Sequence, residues 1–217
     1  MPTPAVIDLT AAESATITSI EQLEALFGQP RHTSVAKESE TMNPLEQEFI
    51  RSSPFHLLAT ANSDGTCDVS PRGDPPGSVH VLCDRTIILP ERAGNKRIDS
   101  LRNIVVNPHI GLLFLVPGMD ETLRINGAAW LTTHESLLAR FSVQGKAPGL
   151  AIVVHTNEVY MHCARAFRRS QLWDPSTWPA SGSVPGMPAV LKEKLKLPGT
   201  VDDIAEAREE RYRAALY

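Results

Sequence analysis

The chain has 217 residues and a net charge of −4, with 42% apolar and 21% charged residues, which is ordinary for a globular protein. This length allows one full domain with appendages or two small domains. Residues 51–187 carry 13 basic and 11 acidic side chains, an excess too small to indicate a nucleic-acid-binding surface. The three cysteines lack CxxC spacing, which argues against a zinc site or a disulfide framework and favours a reducing cytoplasm.

The first 44 residues are polar and acidic, and we interpret them as a helical lead-in. They lack the pattern of a signal peptide, and the chain has no apolar run long enough to cross a membrane, so no membrane partner is expected. Residues 20–27 place four apolar side chains on one helical face, and Gly28 and Pro30 end that helix. Pro44 to Arg51 predicts a short helix that covers one end of a barrel, with proline in its first turn.

Short strands are predicted from residue 55 onward. Residues 55–61 and 66–70 flank the turn signal Asn-Ser-Asp-Gly and are predicted to form a hairpin. Residues 71–77 hold three prolines and two glycines, so we expect a loop there without a strand ladder. A second strand pair is predicted at residues 79–83 and 86–89, with proline ending the second strand.

A helix is predicted from residue 98 to 106, where Asn107-Pro108 ends it. Its apolar face consists of Ile98, Leu101, Ile104 and Val105. The later predicted elements are a strand at 109–116, a strand at 121–133, a helix at 135–142, and a strand pair at 150–155 and 158–163 that turns at Thr156-Asn157. Leu123, Ile125 and Ala129 are predicted to share one face, and the strand cysteines Cys67 and Cys83 are expected to be buried and inert.

About seven short strands with one or two inserted helices favour a small antiparallel barrel over a parallel sheet. Helical propensity returns at residues 164–172, and residues 176–188 are rich in Pro, Ser and Gly, as a linker is. A last helix is predicted from residue 201 to 215, where balanced charges indicate a solvated or docking helix. The domain organisation predicted is therefore 1–44, 45–175 and 176–217.

The turn at residues 90–97 is the strongest candidate for a ligand site. It places Arg92, Lys96 and Arg97 with Gly94 between a predicted strand and the start of a helix. The first N–H groups of a helix have no partner within it and attract anions, so this turn predicts a phosphate cradle. A solvated basic turn is the alternative interpretation.

The sequence contains few groups typical of catalysis. None of the seven histidines stands in an HExxH pattern, and GxSxG, GxGxxG and P-loop patterns are missing, so no catalytic residue and no metal site are assigned. Donors for phosphate without an acid–base pair indicate that a cofactor carries the reaction.

Four segments of the chain, in the order in which they occur, resemble the pyridoxamine 5′-phosphate oxidase-like flavin proteins. The resemblance is to their bacterial branch of FMN-dependent enzymes in particular. They are VSPRGD at 69–74, the turn at 90–97 with LRN at 101–103, LRING at 123–127, and RSQLW at 169–173. The resemblance covers about residues 45–175. It implies a mainly β, α+β fold: a Greek-key antiparallel split β-barrel with peripheral helices. It also implies a homodimer with FMN at the subunit interface.

The resemblance also implies which residues bind FMN. The family's phosphate-binding arginine at a strand end matches Arg72, and its Ser-Arg-Lys-like turn matches Asn95, Lys96 and Arg97, with Glu91 and Arg92 beside them. Thr122 stands where the oxidases place a glutamine near the flavin ring. The segment after the last strand contributes Arg169, Ser170 and Trp173, with Trp173 alternatively a core or interface aromatic.

The chain also departs from the true oxidases, because further substrate-phosphate residues and an Arg-x-His ending are missing. The resemblance therefore supports FMN binding by this chain more strongly than it supports oxidation of pyridoxamine phosphate. The function predicted is an FMN-dependent oxidoreductase that passes hydride through the flavin to a small substrate, with a reduced nicotinamide or deazaflavin as donor. The alternative is a non-catalytic flavin or haem binding or storage protein.

Overall fold

The computed structural model describes residues 13, 15–92 and 94–214, and the chain divides into two compact units, Met1–Lys37 and Glu38–Tyr217. The first unit contains helices α1 (Ile20–Phe27) and α2 (His32–Ala36). Ser19 and Gln22 form a capping box at the start of α1, and Gly28 ends it with a φ of 71°. The predicted helix is confirmed, although its four apolar side chains are all exposed. The boundaries at residues 44 and 175 stay a prediction.

The second unit begins with helix α3 (Pro44–Ser52), which confirms the predicted short helix. Asn43 and Glu46 form a capping box at its first turn, where Pro44 needs no hydrogen-bond partner for its nitrogen. Phe49 and Ile50 are buried, and the helix packs against strands of the sheet. Their burial in the main core is what fixes this helix in place.

Seven strands form one sheet in the order β2-β1-β5-β6-β7-β4-β3, and every neighbouring pair is antiparallel. The strands are β1 (Phe55–Ala61), β2 (Cys67–Gly73), β3 (His80–Cys83), β4 (Thr86–Glu91), β5 (His109–Leu115), β6 (Thr122–Thr132) and β7 (Leu150–His162). In the ranges that the structure describes, no ladder joins the edge strands β2 and β3. The sheet is therefore not closed, and the fold is the expected split-barrel α+β fold.

Helices cover the sheet and follow it. They are α4 (Asp99–Val106), α5 (Glu135–Leu138) with a 3-10 turn at Ala139–Phe141, α6 (Arg165–Ser170) with a 3-10 turn at Pro175–Thr177, α7 (Met187–Leu195) and α8 (Val201–Ala214). The sequence did not predict α7. Residue 215, the predicted end of the last helix, lies outside the described residues. No helix among the described residues is long and apolar enough to cross a membrane.

The prediction of a loop from residue 71 was wrong, because β2 continues through Pro71 to Gly73 and pairs with β1. Pro71 is tolerated because β2 is an edge strand, where a missing N–H breaks no ladder toward a further strand. Strand β4 likewise continues through Pro90 to Glu91, opposite Leu150 of β7. These extensions matter for function because they carry Arg72 and Glu91 on strands.

The prediction of a turn at Thr156-Asn157 was also wrong, because β7 is one strand of 13 residues. It pairs with β6 along its length, with an irregularity in register at Asn126 and Gly127. Gly127 lets the two backbones approach closely, since an added Cβ would lie 2.2 Å from the His155 carbonyl oxygen. Thr156 is fully buried, and its hydroxyl donates to the Glu40 carbonyl at 2.6 Å.

The main core fills the inner face of the barrel and includes Leu123, Ile125 and Ala129, which confirms the predicted shared face. A second cluster lies on the other face of β4 and β7, under Leu138 and Phe141. The prediction of which side chains form the buried apolar face of α4 was partly wrong, because Ile104 is buried but Ile98 and Val105 are exposed. Cys67 and Cys83 are exposed rather than buried, because Cys67 alternates with the inward residues of β2 and Cys83 ends β3.

Candidate functional site

A cavity of about 780 Å³ lies where β2, the end of β4, the following turn and the start of α4 meet. The loop from Lys146 to Gly149 lines another side of it. Its volume falls within the range of about 300–1,000 Å³ that is usual for small-molecule sites. Six of the residues predicted from the sequence line this one cavity: Arg72, Glu91, Arg92, Asn95, Lys96 and Arg97.

Strand β2 supplies a polar wall of the cavity. Its residues alternate between exposed and partly buried, and the partly buried row is Asp68, Ser70 and Arg72. The Ser100 hydroxyl, at the start of α4, lies 2.8 Å from the Ser70 hydroxyl and donates to an Asp68 oxygen at 2.5 Å. Sequence reasoning missed Asp68, Ser70 and Ser100. The signal that could have found them is the polar alternation of the strand.

The basic turn opens a helix, as predicted. The Asn95 side chain accepts a hydrogen bond from the Arg97 N–H at 3.0 Å, and Lys96 and Ile98 have φ values of 62° and 53°. Helix α4 then begins at Asp99. This local side-chain bond holds the turn in its bent conformation, so Lys96, Arg97 and the first N–H groups of α4 lie close together.

The two exposed cations of this turn differ in their partners. Arg97 pairs with Asp99 at 2.7 Å, and that hydrogen bond and charge raise the pKa of the Arg97 guanidinium. Lys96 makes no ion pair within the described part of the chain, so its ammonium group is open to a ligand. Both side chains are solvent-exposed, as the alternative interpretation of a solvated basic turn also expects.

Two ion pairs connect the ends of β2 and β4 across the open side of the sheet. Arg72 Nε lies 3.3 Å from Glu91 Oε2, and Arg92 Nε lies 2.6 Å from Asp74 Oδ2. Arg92 also donates from Nη1 to the Phe141 carbonyl at 2.9 Å. We call these two ion pairs the seam. Arg92 thus already uses two of its donors within the protein, although it lines the cavity.

Three buried polar atoms of the cavity wall have no hydrogen-bond partner among the described residues: His56 Nε2, Arg72 Nε and Glu91 Oε2. The last two lie at ion-pair distance without the geometry of a hydrogen bond. Burial lowers the pKa of His56 to about 4, helped by the Arg72 charge, so its imidazole is neutral at pH 7. Burial raises the pKa of Glu91, and the Arg72 charge opposes that rise.

The other four predicted residues lie outside the cavity as the described chain forms it. Thr122 is buried at the start of β6, opposite His162 of β7. The Trp173 indole donates to the Met119 carbonyl at 2.8 Å. The Ser170 hydroxyl donates within α6, and Arg169 lies in that same helix. The structure therefore brings together the predicted residues of β2, β4 and the basic turn, and it leaves Thr122 and the predicted tail residues elsewhere.

The ionisable side chains that line the cavity include five basic and four acidic ones. The acidic residues are Asp68, Asp74, Glu91 and Asp99, and the basic residues are Arg72, Arg92, Lys96, Arg97 and Lys146. This balance leaves about one excess positive charge when each group has its ordinary charge at pH 7. In the described ranges, no group of three or more His, Cys, Asp or Glu side chains could hold a metal ion.

A family model described as pyridoxamine 5′-phosphate oxidase matches residues 42–163, which is more than half of the chain. A comparison with curated proteins finds no match. Among solved structures, a HupZ variant from Group A Streptococcus is 16% identical, with a TM-score of 0.46, over 56% of this chain and 99% of that chain.

Two further solved structures are similar. An FMN-binding protein from Syntrophomonas wolfei is 12% identical, with a TM-score of 0.41, over 71% of this chain and 97% of that chain. A protein of the pyridoxinephosphate oxidase family from Clostridium acetobutylicum, related to general stress protein 26, is 13% identical. Its TM-score is 0.40, over 54% of this chain and 85% of that chain.

Proposed function

The chain belongs to the pyridoxamine 5′-phosphate oxidase family, and from that premise we propose that it binds FMN in the cavity and acts as an FMN-dependent oxidoreductase. The FMN phosphate lies at the basic turn, where Lys96, Arg97 and the start of α4 present positive charge. Arg72 reaches the same ligand from β2.

The observation that carries this proposal is the convergence of six predicted residues on one cavity. The residues present also fit the cofactor. Lys96 forms no ion pair within the described residues, and three buried atoms that lack a hydrogen bond there, those of His56, Arg72 and Glu91, belong to the same wall. Buried polar atoms without a hydrogen bond are rare in proteins, so a polar ligand bound against this wall explains their presence.

The clustering of cations in one short turn supports a cofactor that ends in a phosphate group. Lys96, Arg97 and the N–H groups at the start of α4 lie together there, which suits a terminal phosphate. FMN ends in such a group, whereas the pyrophosphate of FAD lies within the molecule, so we propose FMN.

FMN supplies hydride transfer when it is bound, and the protein's own residues bind and orient it. Lys96 and Arg97 hold the phosphate, while the hydroxyls of Ser70 and Ser100 offer hydrogen bonds beside it. The neutral imidazole of His56 adds no positive charge to the wall. The protein chain contributes binding, orientation and exclusion of water, and no residue is assigned to the chemical step.

We further propose a homodimer in which each FMN contacts both copies. The cavity is open, and Arg169, Ser170 and Trp173 lie outside it in their own chain. A second copy that places this segment over the cavity excludes water from the flavin and completes the site. Large apolar side chains that remain exposed, such as Trp130 at 51% and Val105 at 73%, are consistent with a partner surface.

The absorption spectrum of the purified protein tests cofactor binding. We expect yellow protein that releases FMN, and not FAD, on denaturation. Colourless protein that fails to bind added FMN would overturn the proposal. Anaerobic addition of NADH, NADPH or a reduced deazaflavin then tests turnover. Bleaching of the bound flavin supports an oxidoreductase, whereas bound flavin that none of these donors reduces supports a flavin carrier.

A further inference from the structure

The ionised state of the Glu91 carboxylate depends on one neighbouring positive charge, that of Arg72. Its side chain and that of Arg72 are 23% and 22% exposed, and Arg72 Nε lies 3.3 Å from Glu91 Oε2. That oxygen accepts no hydrogen bond from the described residues. Burial raises the pKa of the Glu91 carboxyl, and the positive charge of Arg72 is what opposes the rise. The charged state of Glu91 is therefore sensitive to whatever else Arg72 binds.

An anion held by Arg72 competes with Glu91 for the same guanidinium. If Arg72 turns toward the anion, Glu91 loses its compensating charge. If Arg72 keeps both partners, the anion brings a like charge close to the carboxylate. Each arrangement disfavours the ionised form of Glu91, because loss of an opposite charge and approach of a like charge both raise the pKa of a carboxyl group.

We propose that Glu91 is the proton-carrying residue of the site: it takes up one proton from solvent when a phosphate group binds at Arg72. The carboxylate becomes a carboxylic acid, no bond other than the new O–H forms, and no electron moves. Glu91 then lines the cavity as a neutral hydrogen-bond donor beside the ligand. This inference rests on the proposed function for the identity of the ligand.

The other ionisable groups of the cavity are less suited to this role. They are His56, Asp68, Asp74, Arg92, Lys96, Arg97, Asp99 and Lys146. Asp74 has Arg92 at 2.6 Å, Asp68 accepts from Ser100, and Asp99 has Arg97 at 2.7 Å. The lysines and arginines already carry their protons at pH 7. Apart from the carboxylates, His56 on β1, next to Arg72, is the group among these lining residues that can gain a proton, and it serves as a control.

Isothermal titration calorimetry of the apo full chain with FMN measures the proton directly. The binding enthalpy is compared in buffers of different ionisation enthalpy between about pH 7.5 and 8.5, where the phosphate of FMN, with a second pKa of about 6, is already ionised. We expect a net uptake of protons, at most one per FMN, and an affinity that falls as pH rises. Riboflavin lacks the phosphate and should therefore bind with little uptake of protons.

Two variants identify the residue. Glu91→Gln should bind FMN with nearly no proton uptake, whereas His56→Asn should retain the uptake. Uptake that persists in Glu91→Gln, or binding of FMN by the wild type without uptake, overturns the inference and leaves FMN binding intact. No binding of FMN overturns the proposed function itself.

A measurement on the unmodified sequence keeps the test independent of folding defects in the variants. Carbon-13 NMR of the Glu91 side-chain carboxyl, titrated with and without FMN, reports its protonation. We expect the pKa of Glu91 to rise when FMN binds. An unchanged titration of Glu91 overturns the proposal.

Discussion

Replacing Gly127 by alanine should strongly destabilise the sheet. A Cβ at this position would lie 2.2 Å from the His155 carbonyl oxygen, 3.1 Å from the His155 carbonyl carbon and 3.3 Å from the Thr156 Cα. Real Cβ atoms do not approach below 3.0 Å, so β6 and β7 must separate by about 0.8 Å. All three contacting atoms belong to backbone and cannot rotate away.

The expected cost follows from what that separation disturbs. Overpacking in a core typically costs about 1–3 kcal/mol. Here the displaced residue Thr156 is fully buried, its N–H donates to Arg85 at 2.9 Å, and its hydroxyl donates to Glu40. We therefore expect a loss at the upper end of that range, about 3 kcal/mol, in the free energy of unfolding.

Urea denaturation followed by circular dichroism measures this loss, and Gly111→Ala is the matched control. Gly111 lies on the neighbouring strand β5, opposite Asn126, and neither glycine has a positive φ. A Cβ at Gly111 would meet the Asn126 side chain at 3.3 Å, and that side chain can move, so we expect a change below about 1 kcal/mol. Equal stabilities of the two variants would refute the argument from close backbone approach.

Three further predictions concern the site. Lys96→Ala should weaken FMN binding by about 10- to 150-fold, because a charge-assisted bond to phosphate contributes about 1.5–3 kcal/mol. The control variant Lys194→Ala, which lies on exposed α7, should leave the FMN affinity measured by calorimetry unchanged. An equal loss of FMN affinity in the two variants would show that the turn is only a solvated surface. The folded chain holds His56 neutral with a pKa of about 4 against an ordinary 6.5, so the unfolded chain binds more protons between these values. The contribution of His56 to the free energy of unfolding is thus full above about pH 6.5, and about 3 kcal/mol of it is lost by pH 4. His56→Leu should flatten this pH dependence in urea denaturation, and an unchanged pH dependence in the variant would contradict the prediction. Finally, sedimentation velocity should show a dimer that FMN strengthens, with weaker FMN binding in Trp173→Ala. A monomer that binds FMN tightly would refute the shared site, and unchanged affinity in Trp173→Ala would refute that residue's part.

The sequence predicted the strands well where local pattern decides them. Alternation in β6 and the turn signal after β1 led to the observed strands, and the basic turn was correctly placed before a helix. The errors came from tertiary context. Pro71 is a strand residue because β2 is an edge, and Thr156 continues a strand because Gly127 opposite it admits a close backbone. Neither fact is visible in the local sequence.

The difference between what local sequence pattern decides and what tertiary context decides also applies to the candidate site. The phosphate-binding candidates could be found because cations and glycine in a turn have a recognisable pattern, and the resemblance to a family ordered them along the chain. The ion pairs between β2 and β4 could not be found. They join residues 72 and 91, and 74 and 92, whose proximity depends on how the sheet curves.

The seam also bears on how fast a ligand leaves. The ends of β2 and β4 meet there through side chains, and no ladder joins β2 to β4 among the described residues. The seam can therefore part while every strand keeps its backbone hydrogen bonds, so transient opening beside the cavity costs far less than unfolding. Ions in solution weaken such charge pairs. The dissociation rate of the bound ligand should accordingly increase with salt while the global unfolding rate changes little.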